Sequence, residues 1–121
     1  MLFHNPVVLA MRFATLDILS HGRAIAGLGI GWSKDEYQAS GVSFKYREER
    51  ANEFLQSLKR IWTDDVVEFK GRFYSIPASK IGPKPVQKPH SPILFGGTSS
   101  KTFLRIETMQ MVGYPLLDLG H

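Results

Sequence analysis

Apolar positions along the chain fall into stretches of different period. After Asn5-Pro6, an N-cap acceptor followed by a proline suited to the first helical position, Val8, Leu9, Phe13, Leu16 and Leu19 recur at mixed helical spacings until His21-Gly22. This predicts a helix from Pro6 to Ser20. From Arg23 the pattern becomes Ala24-Ile25-Ala26-Gly27-Leu28-Gly29-Ile30-Gly31, with glycine on one set of alternate positions and Ala26, Leu28 and Ile30 on the other. Alternation of period two is strand-like. Glycine weakens a strand, so the glycine face is expected to be approached closely, either by a flat ligand or by crowded neighbouring backbone.

Ser33-Lys34-Asp35-Glu36-Tyr37 reads as a short helix, with Ser33 as N-cap, Glu36 in the reciprocal capping position and Gly41 as its end. A longer helix is predicted from Tyr46 to Trp62, where Ala51, Phe54, Leu55, Leu58, Ile61 and Trp62 make one apolar stripe. Arg47, Glu48, Glu49, Arg50, Glu53, Lys59 and Arg60 read as its solvated face. Val66 to Ile76 contains two β-prone pieces around Lys70-Gly71 and predicts a hairpin. Pro83, Pro85, Pro89 and Pro92 make Ile81 to Pro92 an extended connector. Ile93-Leu94-Phe95 is a continuous apolar run ending in Gly96-Gly97, followed by Thr98-Ser99-Ser100-Lys101 and a helical pattern over Thr102 to Glu107. A doubly buried strand that turns through glycines into a helix is the mark of parallel α/β architecture.

The chain has 121 residues, 43% of them hydrophobic and 21% charged, a composition that supports a folded core and excludes a disordered tail. Its length allows one domain or part of a larger one. The absence of cysteine removes disulfides, thiolate metal sites and cysteine nucleophiles, and fits a reducing cytoplasm. No apolar run is long enough to span a membrane and no signal-peptide pattern opens the chain. The net charge of +4 permits an anionic partner, but Lys and Arg are scattered, which argues against nucleic acid.

Most chemical motifs fail on a single residue. Gly27-Leu28-Gly29-Ile30-Gly31-Trp32 lacks the last glycine of a dinucleotide fingerprint, and Gly31-Trp32-Ser33-Lys34-Asp35 lacks the last glycine of a nucleophile elbow. His4, His21, His90 and His121 have no metal-ligand spacing, so no metal is expected. The Gly96-Gly97-Thr98-Ser99-Ser100 turn is the better candidate: bare N–H groups at a strand-to-helix turn, room beside two glycines and three hydroxyls suit a phosphate. An ordinary turn capped by Thr98 or Ser99 is the alternative.

Taken together, Asn5-Pro6-Val7-Val8-Leu9-Ala10, Ala14 to Ser20, Gly27 to Trp32, Glu36-Tyr37 through Gly41-Val42, Arg47 and Arg50, Ile61-Trp62-Thr63, Gly71 to Tyr74, Pro83 to Pro89 and Pro92 to Gly97 resemble, in order, the luciferase-like monooxygenase family and its deazaflavin-dependent branch. The resemblance implies α/β architecture, a (β/α)8 barrel that binds FMN or the deazaflavin coenzyme F-420 at the C-terminal ends of its strands. That fold takes about 250 residues, so the chain is expected to be a central fragment, one partial domain over residues 1–121. It would contain about two parallel strands, their helices and a hairpin-like insertion.

On this resemblance Asn5 contacts the cofactor, with His4 beside it. Gly29, Gly31 and Trp32 lie at the cofactor end of one strand, while Gly96, Gly97, Thr98 and Ser99 cradle the phosphate. Beyond Ile106 the pattern departs from the family, with Val112 in Val112-Gly113-Tyr114 standing where the family carries an acidic residue. The implied activity is hydride or monooxygen transfer to a small organic substrate. A barrel reduced to two strands exposes sheet edges and helix faces, so the isolated chain is expected to form a homo-oligomer and to be inactive as a monomer. The competing expectation is a non-catalytic, self-assembling remnant that binds no cofactor.

Overall fold

The computed structural model describes residues 1–31, 33–96 and 112–114. Helix α1 (Pro6–Leu19) starts where Asn5 Oδ1 accepts hydrogen bonds from Val7 N at 2.9 Å and Val8 N at 3.4 Å. It stops at Ser20, after which His21 and Gly22 adopt positive φ of 57° and 79°. Strand β1 (Ala26–Leu28) and helix α2 (Lys34–Ala39) follow. Ser33 caps α2, its Oγ accepting from Glu36 N at 3.3 Å.

Helix α3 (Arg47–Thr63) buries Ala51, Phe54, Leu55, Leu58, Ile61 and Trp62, the stripe read from the sequence. It packs against α1, on which the small residues Ala10 and Ala14 are fully buried. Their size lets Trp62 reach the neighbouring backbone, and its Nε1–H donates to Ala10 O at 2.9 Å. Strands β2 (Val67–Lys70) and β3 (Ser75–Ser79) form the expected antiparallel hairpin, with an irregularity between Val67 and Phe69.

Strand β4 (Ile93–Gly96) pairs parallel with β1, Ala26 opposite Ile93 and Leu28 opposite Phe95. A third strand, β5 (Val112–Tyr114), pairs parallel with β4, so the sheet order is β1-β4-β5. The sequence reading expects about two parallel strands, and the structure corrects this to three. Three residues with glycine in the middle are too short to display period-two patterning, which is why β5 is not legible in advance. The predicted helix over Thr102 to Glu107 lies outside the described residues.

Among the described residues one face of the sheet is covered and the other is open. Ala26, Leu28, Ile93 and Phe95 join the α3 stripe in one core, whereas the alternate positions Ile25 and Gly27 are exposed and Leu94 is half-buried. Two strand faces of opposite character, with helices among the described residues on one only, are the geometry of a barrel segment whose inner face no described element covers.

Long-range polar contacts hold the connector. Asp17, fully buried on α1, accepts from Ala24 N at 3.2 Å, Val86 N at 2.8 Å, Gln87 N at 2.9 Å and Gln87 Nε2 at 2.7 Å. Lys84 Nζ donates to Ile61 O and Asp64 O, capping the carbonyl end of α3. The connector between β3 and β4 carries neither helix nor strand, as its prolines require.

The charged face of α3 is not merely solvated. Glu53 accepts from Arg72 N and Phe73 N, each at 3.0 Å, and from Tyr74 N at 3.4 Å, fixing the hairpin turn. Arg50 Nη2 donates to Ser43 O at 2.8 Å and Lys45 O at 2.9 Å, and Arg60 Nη1 donates to Glu68 O at 2.9 Å. These charges satisfy backbone groups in turns and, at Glu68, in the irregular stretch of β2 between Val67 and Phe69.

Candidate cofactor edge

Because β1, β4 and β5 are parallel, their C-terminal ends share one edge of the sheet. Gly29 and Gly31 leave that edge after β1, and Gly96 ends β4 in register with Tyr114. A methyl group placed on Gly29 would meet no atom within 4 Å among the described residues. The close approach that justifies glycine here is therefore not supplied by described backbone, which leaves room for a flat ligand. Gly31 has φ of +84°, a left-handed conformation that turns the chain sharply off the sheet. Gly96 is buried.

Tyr37 ties this edge to the N-terminal segment. Its ring is fully buried, lies edge-on to Phe3 at 4.8 Å and to Phe44 at 5.3 Å, and its hydroxyl donates to Ile30 O at 2.5 Å. Burial pushes the Tyr37 phenol up, with the nearby Arg47 and Arg50 charges opposing. The hydroxyl therefore stays a donor at neutral pH and fixes the carbonyl between Gly29 and Gly31. Phe3 in turn precedes His4 and Asn5, so one aromatic side chain joins the glycine edge to the polar pair expected beside it.

Asn5 and His4 are exposed and line a groove with Leu2, Val42, Arg50 and Tyr74. Asn5 Oδ1 is committed to the α1 cap, which leaves its amide Nδ2 as the group free to donate to a ligand. Trp32, Gly97, Thr98 and Ser99, also expected at the cofactor site, lie outside the described residues. Sequence reasoning missed Tyr37 as a positioning group; the signal was its place four residues after the Ser33 cap, on the inward side of a short helix.

The residues present fit a flat coenzyme. The open glycine edge gives a ring system room against backbone, and the C-terminal ends of parallel strands are where such folds bind ligands. Among the described residues no cluster of three His, Asp or Glu side chains has the arrangement of a metal site, and no described helix is long and apolar enough to cross a membrane.

Comparison with known proteins decides the family, since the model for the luciferase-like monooxygenases matches residues 1–116. The chain belongs to the luciferase-like monooxygenase family. The match includes Val112-Gly113-Tyr114, the residues that form the parallel strand β5. An FMNH(2)-dependent dimethylsulfone monooxygenase of Pseudomonas putida is 38% identical over 98 residues, covering 78% of this chain and 27% of that protein. An F420-dependent glucose-6-phosphate dehydrogenase of Amycolatopsis mediterranei is 39% identical over 97 residues, covering 78% of this chain and 29% of that protein. Among solved structures, monooxygenase RslO1 from Streptomyces bottropensis superposes with a TM-score of 0.76 at 30% identity, covering 81% of this chain and 30% of that one. This member of the luciferase-like family thus spans less than a third of each of these three relatives.

Proposed function

We propose that this chain contributes the central cofactor-binding segment of a flavin- or deazaflavin-dependent oxidoreductase, acting by hydride or monooxygen transfer on a small organic substrate. The observation that carries the reading is the open backbone at Gly29, on the edge where the three parallel strands end. The two relatives named above, one FMNH(2)-dependent and one F420-dependent, support either FMN or coenzyme F-420 as the group held there.

The coenzyme, when bound, supplies the electron chemistry, and the protein supplies binding and orientation. Gly29 and Gly31 give the ring system access to backbone, Tyr37 holds the Ile30 carbonyl in place, and Asn5 Nδ2 donates from the start of α1. Gly96, Gly97, Thr98 and Ser99 receive the phosphate in this reading; a glycine turn presents N–H groups to an anion.

We also infer that the isolated chain self-associates. Val8 (46% exposed), Leu16 (52%) and Leu19 (73%) on α1 and Ile25 (55%) beside β1 leave apolar surface that a monomer would expose to water.

Titration of the purified chain with FMN and separately with coenzyme F-420, followed by fluorescence with light scattering on the same sample, tests the reading. Saturable binding of one of them by a folded oligomer is expected. A folded sample that binds neither overturns it.

A further inference from the structure

The groove beside Asn5 has features that the cofactor reading does not use. It measures about 550 Å³ and lies between Leu2–Pro6, the Gly41–Ser43 turn and Phe73–Tyr74 of the hairpin loop. That is within the range of small-molecule sites. Its lining is mixed: Val42 and Phe73 are half-buried at its sides, Leu2 and Pro6 are buried beneath, and His4, Asn5, Ser43 and Arg50 supply polar surface.

Two donors stand on its wall. Among the described residues Arg50 donates through Nη2 alone, to Ser43 O and Lys45 O, so the guanidinium is held in place while its Nε–H and Nη1–H groups remain available. The Tyr74 ring packs edge-on against Phe54 at 5.7 Å, and its hydroxyl engages no described residue. Burial pushes the Tyr74 phenol up, with Arg50 opposing, so it remains protonated and able to donate at neutral pH. The Glu53 carboxylate accepts from the N–H groups of Arg72, Phe73 and Tyr74, and its charge adds to burial in raising the Tyr74 phenol.

We infer that this groove binds the carboxylate of a small organic acid, its head on Arg50 and Tyr74 and its apolar body on Val42 and Phe73. A guanidinium presents paired donors in the plane that a carboxylate accepts. The fixed Arg50 cation attracts a negative charge, and the half-buried Val42 and Phe73 sides give an aryl body apolar surface. The site does not depend on a bound coenzyme, although Asn5 borders both.

The test uses the full chain without flavin, labelled with ¹⁵N, titrated with phenylacetate and with its neutral isostere phenylacetamide. Phenylacetate is expected to shift the Arg50 Nε–H and Tyr74 amide signals saturably, and phenylacetamide to bind at least about tenfold more weakly, the loss expected when a charge-assisted hydrogen bond is removed. Tyr74→Phe, which keeps the ring on Phe54, is expected to weaken phenylacetate about tenfold. Equal binding of acid and amide, no saturable shift, unchanged affinity in Tyr74→Phe, or shifts centred outside this groove would each overturn the assignment. The acid-against-amide comparison needs no variant, so the inference stays testable whatever Tyr74→Phe does to folding.

Discussion

The hydroxyl of Tyr37 donates to the carbonyl of Ile30 at 2.5 Å, joining the buried face of α2 to the backbone between the two glycines that leave β1. Tyr37→Phe keeps the ring contacts with Phe3 and Phe44 but leaves that carbonyl without its donor. A loss of about 1 kcal/mol in urea unfolding is expected, together with weaker flavin affinity. Unchanged affinity at reduced stability would confine Tyr37 to packing.

Asp17 makes the chain acid-sensitive. Burial alone would push its carboxyl up, but the Gln87 side chain and the N–H groups of Gln87, Ala24 and Val86 together hold it below the ordinary aspartate value. A depressed folded-state pKa contributes stability that is fully present above the unfolded value of roughly 4. That contribution is lost as pH falls through the lower folded value. Urea midpoints in the wild type are therefore expected to fall below about pH 4, and Asp17→Asn to be destabilised by about 3 kcal/mol at neutral pH with a flatter acid limb. Parallel acid limbs in the two proteins would contradict this.

Gly71 sits where Glu53 gathers the hairpin turn. A methyl group there would overlap Glu53 Oε1 and stand 2.8 Å from Phe69 Cε1. Gly71→Ala is expected to release the Glu53 clamp and destabilise the chain by about 2 kcal/mol, read in the same unfolding assay. Combining it with Glu53→Gln should add little further loss, because both remove the same contacts; full additivity would show that the two act separately.

Local patterns were legible where a single element carries its own signal. The α1 cap at Asn5, the α2 cap at Ser33 and the α3 stripe through Trp62 each lie within a few residues of what they stabilise, so period and cap chemistry suffice. The connector's prolines and the hairpin at Lys70-Gly71 are local in the same sense. The partners of Asp17, Glu53 and Arg50 lie in other segments, Asp17 reaching Gln87 across 70 residues. A carboxylate on an amphipathic helix looks solvated until the fold brings its N–H donors to it. The glycine face of β1 was recognisable as unusual, but only the structure distinguishes open space at Gly29 from crowding by described neighbours. Trp32, Gly97, Thr98 and Ser99 rest on the family resemblance.

The most direct measurement is the affinity of FMN and coenzyme F-420 for Gly29→Val beside the wild type, with unfolding midpoints taken on both. Beyond its chain neighbours, no described atom lies within 4 Å of a Cβ at position 29, so the side chain enters the open space that the proposed function assigns to the coenzyme. The account predicts saturable binding in the wild type, similar unfolding midpoints, and at least about tenfold weaker binding in the variant, the expected effect of losing about 1.4 kcal/mol. Equal coenzyme affinity in the two proteins, or no binding by a folded wild type, would contradict it.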